Sequence, residues 1–210
     1  MKDKAVFILN IGNYFPELTQ LTKPLIEAYA KKIDADLIEI KERKFEGHIP
    51  CTYEKLQVHE LGMHYDWCIF TDLDNIILPG TIDFTKILDP KYVGAFDAFD
   101  ADKQFAKDEY FIRDDRNIGV SSRFLVTSKL THDLWQPCEW INWGCIKREF
   151  IVDEYIISRN LAKYGLKFTG LDFLNNKMSQ VFHLNVNTEE RSKDLILEEA
   201  KKYLKENGGL

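Results

Sequence analysis

Asp72 and Asp74 stand two residues apart at the end of a short apolar run, Trp67-Cys68-Ile69-Phe70, and a second apolar run, Ile76-Ile77-Leu78, follows Asn75. A run of this length suits a buried strand that carries its polar groups at the carboxyl end. On a strand, alternate residues share a face, so the spacing predicts that Asp72 and Asp74 point together while Leu73 turns into the core. Two carboxylates beyond the strand ends of an open α/β sheet would repel each other unless a positive charge lay between them. The pattern therefore predicts a site for a hard divalent cation. An Asp-x-Asp at a strand end can also be a plain polar turn.

The elements that must position this pair alternate along the chain. Ala5–Ile11 reads as a strand and Pro16–Ile33 as a helix that Pro24 kinks or divides. Leu37–Ile40 reads as a second strand and 42–47 as a charged loop. Tyr53–Met63 has helical spacing and leads into the strand ending at Asp72. Tyr92–Phe96 is a further strand, 100–116 a loop dense in charge and aromatics, Val120–Val126 a strand and Lys129–Trp135 a helix. Phe150–Tyr164 is an amphipathic helix closed by Gly165. A last helix, Thr188–Leu204, opens with Thr188 as its cap and acids in the first turn. The alternation predicts an α/β fold with a mostly parallel central sheet flanked by helices.

Composition narrows the function. At 210 residues and 45% apolar, the chain suits one globular domain. A net charge of −6 argues against a general nucleic-acid binder, which needs a basic face. The four cysteines lack metal-type spacing, and Cys68 lies in the apolar strand, so reduced thiols in a cytoplasmic protein are expected. The opening MKDKAVFILNI is too short for a signal segment. No apolar run approaches the length of about 18 residues that a membrane span needs. The ending Asn-Gly-Gly-Leu is compatible with fusion to further domains in a longer parent.

Four segments, in order and spanning roughly residues 5–185, resemble GT-A-fold glycosyltransferases of the retaining family 8 and family 34 types. They are TYEKL (52–56), the Asp72-Leu73-Asp74 triplet, RNIGV (116–120), and Asp153-Glu154 followed by FHLN (182–185). The resemblance implies a GT-A (Rossmann-like) fold and transfer of a hexose or deoxyhexose from a UDP-sugar to a glycan or glycoprotein acceptor, with retention of configuration. It implies a single catalytic domain over 1–210: a nucleotide-binding part at about 1–90, a sugar and acceptor part at about 91–187, and a C-terminal helix at 188–206. Asp72, Asp74 and His183 would hold the metal. One imidazole nitrogen beside carboxylates favours Mn²⁺, with Mg²⁺ as the alternative.

The resemblance also gives Lys55 the role of facing the donor phosphates, and Asp72 a place beside the nucleotide as well as the metal. Asn117 would touch the sugar or acceptor, Asp153 would bond the sugar hydroxyls, and Glu154 would lie near the anomeric carbon. From the residues themselves, Asn10-Ile11-Gly12-Asn13-Tyr14 offers open backbone N–H groups, a close approach at Gly12 and a ring at Tyr14 that can stack on a base. Plainer readings stand beside these: a turn that needs Gly and Asn anyway, a solvated helix lysine, and acids that favour a helix amino terminus. Trp135, Trp140 and Trp143 suit either the C–H face of an acceptor sugar or a lid packed on the core.

Two departures from the family pattern matter. Glu154 stands where family 8 carries glutamine, and the lysine that follows the family histidine is missing. Arg191 or Lys193 are the candidates to replace it. Among rival readings, a phosphatase with a nucleophilic aspartate continues Asp-Leu-Asp with Gly-Thr, whereas Asn75-Ile76 follows here. A sugar-nucleotidyltransferase needs a Gly-rich basic signature that residues 9–14 lack. A non-catalytic sugar-nucleotide or glycan-binding module remains open.

Overall fold

Val6, Phe7 and Ile8 have no exposed surface, because β1 (Lys4–Leu9) runs through the middle of the molecule with apolar groups on both faces. The computed structural model describes the chain except residues 1, 46, 97, 106–110, 112–117, 147, 172–180, 185, 187–190 and 208–210. The central sheet has six strands, in the order β2 (Asp36–Ile40), β1, β3 (Trp67–Thr71), β8 (Phe124–Ser128), β5 (Tyr92–Ala95), β9 (Lys167–Gly170). β8 runs antiparallel to both neighbours, and the other five strands share one direction. This is the expected mostly parallel sheet.

Helices cover both faces, which is why the strands read as near-continuous apolar runs rather than alternating ones. Val6 and Ile8 pack with Ile26, Tyr29 and Ala30 of α1 (Pro16–Lys32). Ala5 and Phe7, on the opposite face, share a cluster with Tyr155, Ile156 and Leu161 of a later helix, α4 (Val152–Lys163). Two small antiparallel pairs complete the strands: β4 (Asn75–Ile77) with β10 (Val181–His183), and β6 (Ala98–Asp100) with β7 (Ile118–Val120). A short α3 (Ala101–Gln104) follows β6. The C-terminal α5 (Lys193–Glu206) buries Ile196, Ala200 and Leu204 against Leu18 of α1 and Ile76 beside the Asp72-Leu73-Asp74 triplet.

Four local expectations change. Pro24 does not divide α1, whose buried apolar residues beyond it outweigh one missing N–H. The Tyr53–Met63 stretch is a 3₁₀ helix over Cys51–Gln57 and α-helical only in α2 (Val58–Leu61). The expected strand Val120–Val126 breaks at Ser121-Ser122-Arg123 into β7 and β8, because this turn reaches across to the Asp72-Leu73-Asp74 triplet and to α4. The last helix begins at Lys193 with Ser192 as its cap, accepting from Leu195 N–H at 3.3 Å, and Thr188 lies outside the described residues. Gly165 does close α4. It takes a left-handed φ of 62°, and the N–H groups of Gly165 and Leu166 bond back to Ala162 and Leu161.

The loop after β2 is held by one buried acid. Glu54 has no exposed surface and accepts from Lys44 N–H at 2.9 Å, Phe45 N–H at 3.2 Å and the Gln57 amide at 2.8 Å, with Arg43 Nε at 3.4 Å. Glu54→Ala would strip these donors of their acceptor at once, and should destabilise the protein by about 2 kcal/mol or more in urea unfolding. A loss below about 0.5 kcal/mol would show that water replaces the carboxylate there.

Among the described residues, no helix is long and apolar enough to cross a membrane. Cys51, Cys68, Cys138 and Cys145 form no disulfide with one another.

Candidate metal and ligand site

At the end of β3 the chain turns rather than continuing extended. Asn75 N–H bonds Asp72 O at 3.2 Å, so Asp72 and Asp74 converge across a turn and not through strand alternation. Leu73 still packs into the core. The turn is fixed from three sides. Asp72 N–H donates to Arg123 O at 2.8 Å, Thr22 Oγ1 of α1 donates to Leu73 O at 2.6 Å, and Leu184 N–H donates to Asp74 O at 3.1 Å. Asn75, fully buried, donates its amide to Arg123 O at 2.6 Å and Thr71 Oγ1 at 3.0 Å. With its backbone groups so engaged, the turn presents its carboxylates on a rigid base.

His183 reaches this turn because β10 pairs antiparallel with β4, setting His183 opposite Asn75. Its Nε2 lies 3.1 Å from Asp74 Oδ2, which also accepts Val186 N–H at 3.2 Å. One ligand atom each from Asp72, Asp74 and His183 lie within 4.8 Å of one another. Atoms bound at about 2.1 Å to an octahedral cation sit about 3 Å apart when adjacent and about 4.2 Å apart when opposite, so the three groups fit one ion with little adjustment. Among the described residues, this is the cluster of acids and histidine with the spacing for a metal.

Burial and the neighbouring Asp74 raise the Asp72 carboxyl to about 6, against the pull of Lys55. Burial would raise Asp74 as well, but the hydrogen bond and charge of His183 and the Val186 N–H hold it below the ordinary range. Burial, then Asp74 and Asp72, push the Tyr14 hydroxyl up to about 12. The site thus carries an excess of negative charge that an added cation would relieve.

Beside it lies a cavity of about 470 Å³, lined among others by Tyr14, Lys55, Asp72, Asp74, Asp153, Glu154 and His183. Lys55 is buried and does not reach freely into this space. Its ammonium lies 2.8 Å from Asp72 Oδ1, 2.8 Å from Asp153 Oδ2 and 3.0 Å from Ser122 Oγ. Burial alone would lower its pKa, but Asp153 and then Asp72 outweigh that and hold it above the usual lysine range. Lys55 thus lines the cavity with its charge shared between two aspartates, and is not the solvated helix lysine of the plainer reading.

Asp153 and Glu154 sit in the first turn of α4. Asp153, 2% exposed, accepts from Ser122 Oγ at 2.5 Å. Glu154 accepts from Ser121 Oγ at 2.9 Å and Ser122 N–H at 3.4 Å. Burial and the adjacent Asp153 raise its carboxyl above the ordinary range despite those donors. Both acids face the cavity.

The loop from β1 to α1 contributes Tyr14, 42% exposed, to the cavity wall. Gly12, Asn13 and Phe15 all take left-handed φ values of 69°, 54° and 45°. Phe15 holds this costly conformation because its ring is buried in the cluster with Leu18 and Ile196. A side chain at Gly12 would meet open space. Asn10 is instead turned to Glu39, donating its amide at 2.7 Å, and neither it nor Gly12 is among the residues lining the cavity. Trp135 is core, its indole N–H donating to Thr127 Oγ1 at 2.8 Å. Trp140 and Trp143 are 68% and 38% exposed. Arg191 bonds Leu184 O and Glu199, and Lys193 lies over the Phe15 ring, so the substitutes expected for the missing lysine are engaged elsewhere. Asn117 lies outside the described residues. Sequence reasoning missed Ser121, Ser122, Arg123 and Arg148 as cavity residues. The first three were absorbed into an expected strand, and Arg148 stands alone in an unassigned segment.

No protein-family model and no curated protein matches the chain at the level of sequence. Solved structures match it in fold. A glycosyltransferase involved in the glycosylation of the major capsid of PBCV-1 aligns with TM-score 0.59 at 10% identity, covering 95% of this chain and 98% of that one. The galactosyltransferase LgtC, solved with donor and acceptor sugar analogues, aligns with TM-score 0.55 at 15% identity over 98% and 96%. The catalytic domain of a Drosophila β1,4-galactosyltransferase 7, in complex with xylobiose, aligns with TM-score 0.50 at 15% identity over 95% and 80%. The chain has the mixed α/β GT-A fold that these glycosyltransferases share.

Proposed function

We propose that this protein is a metal-dependent glycosyltransferase of the family 8 and family 34 kind, moving a sugar from a UDP-sugar to a saccharide acceptor. The observation that carries the reading is the convergence of Asp72, Asp74 and His183 around one point beside a cavity of about 470 Å³, at the carboxyl ends of parallel strands. In this reading residues 1–210 form one catalytic domain. Those three residues would hold Mn²⁺ or Mg²⁺, with Asp72 Oδ1 also paired to Lys55 at 2.8 Å. When bound, the ion supplies charge to the donor diphosphate as the bond from sugar to phosphate breaks.

The chain's own groups do the rest. Tyr14 stacks on the base, with Asn10 and Gly12 shaping the loop behind it. Asp153 orients the sugar hydroxyls from a place fixed by Lys55 and Ser122. Glu154, held by Ser121, lies where a carboxylate would stabilise positive charge at the anomeric carbon. Retention is the outcome we assign, and Asn117 completes the sugar side. The exposed Trp140 and Trp143 are the acceptor platform.

A thermal-shift screen of nucleotide sugars with and without Mn²⁺ tests the reading. Ligand at 100 times its Kd stabilises by about 2.7 kcal/mol, so a UDP-sugar should raise the melting temperature, and only with the metal present. Slow release of free UDP should accompany it. Binding without release would leave a non-catalytic module, and no response to any nucleotide sugar would overturn the reading.

A further inference from the structure

We infer that Asn75 positions His183 for the cation, its side-chain oxygen accepting from His183 Nδ1–H when Nε2 binds metal. The inference rests on the metal reading and goes beyond it, because Asn75 is neither a proposed ligand nor a residue lining the cavity. Among the described residues, His183 Nδ1 and Asn75 Oδ1 are both buried without a hydrogen-bond partner. Buried polar atoms are seldom left so. These two belong to residues directly opposite each other in the ladder of β4 and β10. On the next rung, Leu184 N–H bonds Asp74 O at 3.1 Å. That bond makes His183 and Asn75 a non-hydrogen-bonded pair, the kind in which facing side chains come closest, with Cβ atoms about 5 Å apart.

The partners of each side chain assign its donor and acceptor atoms. Asn75 directs one end of its amide at the Arg123 carbonyl, 2.6 Å away, and a carbonyl only accepts. That end is therefore Nδ2, and Oδ1 is the atom turned away from it. Thr71 Oγ1 completes the orientation, accepting from Nδ2 at 3.0 Å. At His183, Nε2 lies 3.1 Å from Asp74 Oδ2, so the ring meets that carboxylate as an N–H donor. A neutral ring with its proton on Nε2 presents only a lone pair at Nδ1, and two facing acceptors form no bond. A cation binds a nitrogen lone pair, so Nε2 must give up its proton to bind one. The neutral ring then carries its proton on Nδ1, exchanged through water, and Asn75 Oδ1 is the acceptor this form needs. The two buried atoms thus satisfy each other once Nε2 is on the cation, and their bond holds the ring with Nε2 toward Asp74.

Long-range proton–nitrogen NMR spectra of histidine-labelled protein, with diamagnetic Zn²⁺ as the probe, read the tautomer directly, and His183→Gln assigns the signal. Zn²⁺ should place metal on His183 Nε2 and a slowly exchanging proton on Nδ1. Metal on Nδ1, or a ring proton exchanging as fast as that of the exposed His64, would overturn the inference. Mn²⁺ affinity, followed by electron paramagnetic resonance, gives the second arm. Asn75→Leu should weaken Mn²⁺ by about 10-fold or more, the scale for outer partners of ligating histidines. In a His183→Ala background the same change should cost less than about twofold, since Asn75 acts through that ring. An equal loss in both backgrounds would show that Asn75 serves only the turn, and would overturn its role toward His183. Undiminished Mn²⁺ affinity in Asn75→Leu would do the same while leaving the metal reading in place. Failure of the intact protein to bind Mn²⁺ would overturn the metal reading itself. Where a variant does not fold, the Zn²⁺ spectra of the intact protein decide.

Discussion

Asp74→Ala is expected to lower metal-dependent release of UDP from a bound donor by about 10²–10³, the scale set by losing one group that stabilises a developing anion. The side chain has two duties that alanine abandons together. In the proposed site it is one of three cation ligands, and its Oδ2 receives both His183 Nε2 at 3.1 Å and Val186 N–H at 3.2 Å. Because His183 is the third of the proposed ligands, the change should weaken the site more than removal of one donor atom would. Asp74→Asn separates the duties, because an amide oxygen can still accept from Val186 while carrying no charge. The asparagine variant should melt close to the intact protein and remain about as slow as Asp74→Ala. If either variant kept full donor turnover with metal present, the metal assignment would fail.

Lys55→Met should cost about 3–5 kcal/mol in urea unfolding at pH 7, the range for removing one partner of a buried ion pair. Two carboxylates, Asp72 and Asp153, lose their shared cation, and the replacement side chain gives them nothing to bond. The pH dependence distinguishes this from simple loss of packing. The Asp72 carboxyl already lies near 6 in the intact fold, above its unfolded value. A carboxyl raised on folding favours the native state at low pH and loses that contribution as pH rises through its folded pKa. Removing Lys55 raises it further, so the deficit of the variant should shrink as pH falls from 7 toward 5. A deficit below about 1 kcal/mol, or one that stays flat across that range, would show that the triad of charges contributes little to stability.

The fold class was legible because it depends on local pattern. Apolar runs such as Ala5–Ile8 and Cys68–Phe70, alternating with amphipathic stretches, suffice to indicate a sheet covered on both faces. Boundaries failed where tertiary contacts override that pattern. Ser121-Ser122-Arg123 looks like part of a strand until its turn is seen bonding Asp153, Glu154 and Asp72. The Asp72-Leu73-Asp74 triplet was conspicuous, yet the reason given for its geometry was wrong, since a turn rather than strand alternation brings the carboxylates together. His183 illustrates the limit from the other side. Only the pairing of β10 with β4 carries it to Asp74, and no periodicity in the sequence encodes that pairing. For Lys55 the sequence supplied the residue but not its partners. A lysine on helical spacing looks alike whether it faces solvent, a phosphate or two buried aspartates.

The most direct test of the account is an anomalous-difference map from crystals grown with Mn²⁺ and UDP, recorded above the manganese absorption edge. The account predicts a single strong peak within about 2.3 Å of a carboxylate oxygen of Asp72, a carboxylate oxygen of Asp74 and Nε2 of His183. Ordered UDP in the cavity with no manganese peak among those three side chains would contradict it.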